Sequence, residues 1–372
     1  KILHSMSKKV FYSALFVLLF SMNSCGNEEV VFDLPEDPDV EVPDDDKDDD
    51  GGDEGEDGDE GETPEPIIEK FINPLNIKDK NSAVILDPSV IKVNEKFYLF
   101  SASEGWTDGT RPLVGIFESE DLVNWIFVRE AISTSKYKDK IGDWLQGVRI
   151  FKDSNKYCIY FISNNKLRCF ISDTPNGEFE AYDGSEGIIN LPDGFELGYD
   201  PITSFITDGD KKYMLLRNKS GEWDTDLYLI EMVDYKTFSE PTASFKISDE
   251  NLQSPSLAII NNKYYLFTKN AFYFGAESYR IFTSDKLTGN YTYTGQDFLD
   301  NSKNVNGIGS FVKDSNNDYW ALYSVFVDDT QKHKLYLDKV EFENGFPQIK
   351  GLKPSTTEQP APVFKKEEQN PQ

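Results

Sequence analysis

Two aspartates, Asp87 and Asp200, are the residues whose type and setting best suit chemistry on a bound substrate. Each is followed by a proline and opens a run of apolar and aromatic residues. The proline removes a backbone donor and restricts one backbone angle, so it stiffens the chain beside the carboxylate. Two carboxylates that converge on one pocket can activate water and tune a proton donor, which is the arrangement that hydrolyses glycosidic bonds. The spacing favours equally a second interpretation, in which both residues simply start turns.

Composition excludes several other kinds of site. The chain has only two histidines, His4 and His333, and three cysteines. A histidine-based metal site or a Ser-His-Asp triad does not fit so few histidines, because His4 also lies in a leader segment. A disulfide scaffold is excluded as well. We therefore expect neither a metal nor a cofactor.

The net charge of −28 is unevenly distributed. Residues 28–65 hold 21 acidic residues against a single base, Lys47, and the rest of the chain carries only −8. This acidic balance argues against a nucleic-acid partner, because phosphate binding needs a basic surface. Residues 26–66 have few apolar side chains to bury and strong self-repulsion, so we expect a disordered acidic tether there. Residues 363–372 are interpreted as a C-terminal tail.

The first 25 residues have the pattern of an export signal. Ser7–Lys9 provide a short basic region, and Val10–Phe20 form an apolar run that is too short for a permanent membrane span. The run ends in Ser21–Cys25, which resembles a bacterial lipoprotein cleavage box. On that resemblance Cys25 carries the lipid and anchors the protein to the outer membrane of a cell envelope, exposed at the surface. The alternative is an ordinary signal peptide with an incidental cysteine.

An internal repeat predicts the fold of residues 67–362. Five units, starting near residues 87, 147, 200, 254 and 309, each contain an apolar strand, a polar turn and an aromatic-rich strand. A third strand pattern follows most of them, at residues 114–119, 168–172, 227–231 and 279–284, and connectors lead to an outer strand. A unit of about 55 residues therefore holds four strands. We therefore predict an all-β protein, a five-bladed β-propeller with four-stranded antiparallel blades. A β-sandwich would lack such a period.

Two cysteines fall within the second unit, on either side of the turn at Asn164-Asn165. A hairpin with that turn pairs Tyr160 with Cys169 and leaves Cys158 diagonal to it. Export would permit a disulfide, but this register does not favour one. We therefore expect two buried free thiols.

Several motifs, taken in order, resemble glycoside hydrolase family 43, the propellers of the arabinanase and β-xylosidase type. The segments that carry the resemblance are Leu86–Val90, Ser119–Trp125, Tyr199–Pro201, Asp208–Tyr213, Leu335–Asp338, Asn344–Pro347 and Pro354–Pro362. The resemblance implies an inverting hydrolase of arabinose- or xylose-containing polysaccharide. It also implies that Asp87 is the general base and that Asp200 orients and tunes the acid.

The residue that matches the family's proton donor is Gln253, within Gln253-Ser254-Pro255. An amide has no proton to give to a leaving oxygen. Two other family positions also differ, because Ile308 replaces a histidine and Gly147 replaces an aspartate. Either another carboxylate supplies the proton, or the protein binds glycan without cleaving it. A propeller that serves only as a platform for other proteins is a third and more distant interpretation.

The residues considered as alternative donors are Glu250 and the loop residues Glu104, Glu196 and Glu277, each of which also fits a solvated surface charge. Three tryptophans, Trp106, Trp144 and Trp223, have settings that suit sugar platforms, since a flat ring fits the apolar face of a sugar. Packing explains each of them equally well, whereas Trp125 and Trp320 are expected in the core. Arg149 and Arg280 could face a channel or the surface. The expected partner is a polysaccharide or oligosaccharide, and the protein is expected to be a monomer.

Overall fold

The β-branched and aromatic segments of the repeat form strands, as their composition favours. The structure, a computed structural model, describes residues 69–103, 105–198, 204–219, 225–239, 252–270, 278–300, 304–327 and 332–365. These ranges all belong to the unit Glu65–Gln372.

The strands follow one another blade by blade. Two short strands come first, β1 (Lys70–Phe71) and β2 (Ile77–Lys78). The first blade contains β3 (Leu86–Val93), β4 (Lys96–Ala102), β5 (Val114–Ser119) and β6 (Trp125–Glu130), and the helix α1 (Thr134–Ile141) follows it. The second contains β7 (Gln146–Asp153), β8 (Lys156–Ser163), β9 (Lys166–Ser172) and β10 (Glu180–Ala181). The third contains β11 (Ser204–Asp208), β12 (Lys211–Lys219), β13 (Thr225–Asp234) and β14 (Thr237–Phe238). The fourth contains β15 (Leu252–Ile260), β16 (Lys263–Asn270), β17 (Tyr279–Ser284) and β18 (Thr292–Leu299). The fifth contains β19 (Val305–Lys313), β20 (Tyr319–Val327), β21 (Lys332–Glu343) and β22 (Phe346–Ile349), and then come a 3-10 turn (Lys350–Leu352) and β23 (Gln359–Pro360).

Within each blade the four strands pair antiparallel in chain order, from the inner strand to the outer strand. The first blade gains β2 as an extra outer strand, which runs parallel to β6. The inner strands form a closed ring, because β3 contacts β7 and β19, β15 contacts β11 and β19, and β11 contacts β7. This is the five-bladed propeller that the repeat predicts, and the predicted fold class is confirmed.

Five apolar clusters fill the five seams between neighbouring blades. Because successive side chains of a strand point to opposite faces, one strand contributes to two seams. On β4, Phe97 and Leu99 pack towards the fifth blade, while Tyr98 and Phe100 pack towards the second. This packing accounts for the high aromatic content. Trp125 and Trp320 are buried as predicted.

Three features refine the sequence interpretation. The fifth inner strand starts at Val305, four residues before the predicted start near 309, and α1 was not predicted. Cys158 and Cys169 are buried free thiols, and Tyr160 pairs with Cys169, so both predictions are confirmed. Among the described residues, no helix is long and apolar enough to cross a membrane.

Gly309 marks the closest approach between the fifth and first blades. A Cβ atom at this position would lie 1.8 Å from the carbonyl oxygen of Pro88, and that atom is backbone that cannot turn aside. We expect Gly309→Ala to lower the free energy of unfolding by at least about 1–3 kcal/mol, the usual cost of overpacking. Chemical denaturation measures the change. Ser310→Ala, which removes volume at the next position, should cost less, and an equal or smaller loss for Gly309→Ala would contradict the prediction.

The C-terminal segment closes the same seam from outside. β23 pairs with β1, the amide of Ala361 donates to the carbonyl of Glu69 at 2.8 Å, and the ring of Phe364 lies 4.7 Å from that of Phe97. Asp338 on β21 holds this segment to the fifth blade. Its carboxylate accepts hydrogen bonds from Tyr323 Oη (2.5 Å), Gln359 Nε2 (3.1 Å) and the Ser355 amide (3.3 Å).

Stability should depend on pH through Asp338. Burial raises the pKa of this carboxyl from 3.8 to about 6, even though its hydrogen-bond partners oppose the shift. A raised pKa means that the folded state holds the proton more tightly than the unfolded state. The contribution of the protonated carboxyl to the free energy of unfolding is therefore full below pH 4 and is lost as pH rises through 6. Relative to Asp338→Asn, the wild type should lose roughly 3 kcal/mol of unfolding free energy between pH 4 and pH 7.

Denaturant unfolding at several pH values tests this expectation. The control is Asp318→Asn, because Asp318 is a half-exposed carboxylate of the same blade that pairs with Lys339 at 2.6 Å. Parallel pH profiles for the wild type and Asp338→Asn would show that Asp338 does not set the dependence.

Candidate functional site

Four of the inner strands, β3, β7, β15 and β19, share one irregularity near their starts. The pairing register shifts between Leu86 and Ser89, between Gln146 and Arg149, between Gln253 and Ser256, and after Val305. A residue with positive φ lies at each shift: Asp87 (50°), Gly147 (63°), Ser254 (46°) and Gly307 (78°). A β-bulge of this kind turns a side chain away from its regular direction and is frequent beside active sites.

Asp87 is the described acidic residue at these bulges. It is only 4% exposed, and its Oδ2 accepts a hydrogen bond from the backbone amide of Gly147 at 3.0 Å. The carboxylate therefore lies where β3 and β7 begin, at one end of the channel. A left-handed backbone is uncommon outside glycine and is a form of strain that is retained at functional sites.

Arg149 lies two residues after Gly147 on β7, and it is 4% exposed. Its Nη1 donates to the carbonyl oxygen of Val148 at 2.8 Å, so the guanidinium lies against the backbone of its own strand. Burial lowers the pKa of Arg149 from its usual value, and the negative charge of Asp87 opposes that shift. The sequence left open whether Arg149 faces the channel or the surface, and the structure places it at the channel.

On the fourth blade, the backbone of Gln253 pairs with Lys269, and Lys269 pairs with Tyr279. Lys269 is buried, with its Nζ 5.7 Å from the centre of the Tyr279 ring. The Tyr279 hydroxyl accepts from the backbone amide of Gly307 at 2.8 Å and so joins the fourth and fifth blades. Sequence reasoning missed Lys269 and Tyr279. The signal was a lysine at the end of the apolar strand Tyr264–Thr268.

Several of the predicted site residues lie outside the part of the chain that the structure describes. Asp200, Trp223, Glu104, Glu250 and Glu277 fall in the undescribed ranges, and for Gln253 only the backbone is described. Their site roles therefore remain predictions. Glu196 is described: its side chain is 72% exposed and pairs with Lys219 at 3.1 Å. That placement matches the surface-charge alternative.

The two described platform candidates differ. Trp144 is 52% exposed and lies just before β7, so its ring is available to a ligand. Trp106 is only 5% exposed, and its ring packs edge-on against Phe127 at 5.0 Å and near Phe117. Trp106 is therefore a packing residue rather than a sugar platform, because Phe127 and Phe117 cover its ring.

Beyond Asp87, the channel continues as a cavity of about 410 Å³ lined by all five inner strands. Its lining includes Ser89, Arg149, Ser204, Ser256 and Ser310. The described ranges hold no group of three or more His, Cys, Asp or Glu side chains that could bind a metal ion.

The fold and the acidic group at the channel entrance define a five-bladed propeller of the glycoside hydrolase type. The chain belongs to the glycosyl hydrolases family 43, whose family model matches residues 82–347. No curated protein matches the chain.

Solved structures with the same fold are distant in sequence. BlXynB, a GH43 protein from Bacillus licheniformis, is 21% identical with a TM-score of 0.59, and the match covers 81% of this chain and 61% of that one. The chain thus spans about three fifths of BlXynB. The Bacteroides ovatus protein named xyloglucan PUL GH43B is 17% identical (TM-score 0.58; 82% and 61% covered). The exo-β-1,3-galactanase of Phanerochaete chrysosporium is 15% identical (TM-score 0.61; 77% and 70% covered).

Proposed function

We propose that this protein is an inverting glycoside hydrolase of the family 43 type that acts on arabinose- or xylose-containing polysaccharide. The observation that carries the proposal is the setting of Asp87. Its carboxylate lies at the channel entrance, on a strained bulge, within hydrogen-bond distance of the next blade. That setting suits a fixed general base better than it suits a solvated turn residue.

In the proposed reaction, ionised Asp87 takes a proton from a water molecule as the water attacks the anomeric carbon. The glycosidic bond breaks on the opposite face of the sugar. The leaving oxygen takes its proton from a carboxylic acid other than residue 253 or from water, because the amide of Gln253 has no proton to give. By family resemblance, Asp200 orients and tunes the proton donor, and Trp144 provides a platform for the sugar. Position 253 is the donor position, where this chain has glutamine.

The second candidate function is glycan binding without cleavage, and Gln253 favours it. A positioned acid contributes about 10²- to 10⁴-fold in rate, so an enzyme with an amide there should be slow. A binding protein needs the cleft and the platform but no proton donor. Both functions use the same ligand class, and the rate of sugar release separates them.

Substrate identity is proposed at the level of the sugar class. Some structural neighbours carry names that refer to xyloglucan and others to β-1,3-galactan. A substrate panel should therefore contain arabinan, arabinoxylan, xyloglucan, β-1,3-galactan and aryl glycosides of arabinose and xylose. Reducing-sugar release well above buffer on any of them supports the hydrolase. Release at the level of buffer, with oligosaccharide binding by titration calorimetry, would support the binding protein instead.

The proposed setting of the protein in the cell follows from its N-terminal sequence. We propose residues 1–25 as a lipoprotein signal peptide, Cys25 as the lipidated residue and residues 26–66 as a tether. The propeller then extends from 67 to 362, ahead of the tail 363–372, and acts as a monomer on the outer membrane. Metabolic labelling with a fatty acid, compared between the wild type and Cys25→Ser, tests the anchor.

A further inference from the structure

The five blades provide an internal comparison for the residues that line the channel. One position on each inner strand pairs with an equivalent position on the next strand of its blade. The pairs are Ser89 with Phe100, Arg149 with Tyr160, Ser204 with Leu215, Ser256 with Phe267, and Ser310 with Leu322. Four blades have serine at this position, and the second blade has an arginine.

The hydroxyls of three of these serines, Ser89, Ser204 and Ser310, bridge neighbouring blades. Ser89 Oγ accepts from the amide of Ile150 at 3.1 Å, and Ser310 Oγ accepts from the amide of Val90 at 2.9 Å. Ser204 Oγ lies 3.4 Å from the carbonyl oxygen of Pro255, to which it donates. A short hydroxyl side chain therefore suffices to join the seams, and the arginine of the second blade is not needed for that purpose.

Arg149 lines the channel cavity formed by the five inner strands. Its Nη1 donates to the Val148 carbonyl, so the guanidinium lies against the backbone at the start of β7. One residue earlier, the Gly147 amide bonds to the Asp87 carboxylate. Arg149 and Asp87 are thus brought to the same end of β7.

A buried guanidinium requires a partner, because it stays protonated and its desolvation is expensive. The charged and titratable groups described around it are Asp87 on β3 and Tyr279 on β17, with Lys269 on β16 beyond that ring. Among these groups, Asp87 is the one that is negative near neutral pH. The pair therefore serves both members, since a carboxylate buried without a cation would tend to be protonated.

We propose that Arg149 is a positioning residue that keeps Asp87 ionised and directed to the channel entrance, and this rests on the base role of Asp87 in the proposed function. A general base works only as the carboxylate, since it must accept the proton of the attacking water. Arg149 exchanges no proton in the reaction.

The test is the pH dependence of kcat/KM for the wild type, Arg149→Met and Arg149→Lys on the best substrate of the panel. Loss of a neighbouring cation should move the acidic limb upward by about 1–3 pH units in the Met variant. The Lys variant, which keeps a charge, should restore part of the shift. The matched control is Arg168→Met, because Arg168 is also buried in the second blade but pairs with Glu186 and Ser163. An acidic limb that stays in place in Arg149→Met would overturn the proposal.

A second measurement does not depend on activity. Unfolding of the wild type, Arg149→Met, Asp87→Asn and the double variant at pH 7 forms a double-mutant cycle. We expect Arg149→Met to change the free energy of unfolding by a different amount when residue 87 is already asparagine. Strictly additive changes would show that Arg149 and Asp87 do not interact. If Arg149→Met does not fold, Arg149→Gln takes its place in the cycle, because it also removes the charge. If the two substitutions are coupled but the wild type releases no sugar, the interaction of Arg149 with Asp87 is supported and the proposed hydrolase function is excluded.

Discussion

Asp87→Asn should lower the rate of glycoside hydrolysis by about 10²- to 10⁴-fold, the contribution of a positioned general base. The amide cannot accept the proton of the attacking water, so the loss should appear in kcat with little change in KM. Initial rates of sugar release on the best substrate measure it. A wild-type rate in Asp87→Asn would exclude Asp87 as the base.

The substitution is well suited to separate chemistry from folding. Asparagine tolerates positive φ as aspartate does, and its carbonyl oxygen can still accept from the Gly147 amide. The hydrogen bond between the first two blades should therefore stay intact. The unfolding midpoint should still fall, because the buried Arg149 guanidinium loses its negative partner, so rates are compared at a temperature where both proteins are folded. Asp285→Asn, at an exposed aspartate just after β17, is the surface control and should keep the full rate.

Gln253→Glu should raise the rate by a comparable factor of about 10²- to 10⁴-fold, because it supplies the proton that the leaving oxygen needs. The gain should be largest on substrates with poor leaving groups, since these depend most on protonation. On an activated aryl glycoside the gain should be small. Parallel assays on arabinoxylan and on an aryl glycoside measure this contrast.

The second blade offers a matched control for this gain. Gln146 lies directly before the bulge of β7, as Gln253 lies directly before that of β15. Gln146→Glu adds the same carboxyl group at the equivalent position of another blade and should leave the rate near that of the wild type. A gain in Gln146→Glu that equals the gain in Gln253→Glu would mean that added charge, not position 253, raises the rate.

Much of the fold could be predicted from local pattern. The predicted third strands at 114–119, 168–172, 227–231 and 279–284 lie within β5, β9, β13 and β17. Apolar runs and polar turns are local properties, and the hairpin pairs residues that are close in the chain, so the strands and their order could be read directly.

Less local features could not be predicted. The pairing of β1 with β23 joins opposite ends of the described chain, and no short window contains both. The helix α1 has only two buried residues, Tyr137 and Ile141, so its sequence lacks a strong apolar face. The start of β19 at Val305 was missed because bulges interrupt the strand pattern.

Sequence by itself determined the repeat, the number of blades, the membership in a family of hydrolases and the choice of Asp87 as a chemical group. Tertiary structure decided which polar side chains meet at the channel: it brought Arg149 and Asp87 to the same end of β7, buried Lys269 next to Tyr279, covered Trp106 and left Trp144 open. The physical reason is that blades are buried on both faces, so alternation no longer distinguishes the interior from the exterior. Whether a polar residue on such a strand faces solvent, a seam or the channel depends on the neighbouring blade, which comes from a distant part of the chain.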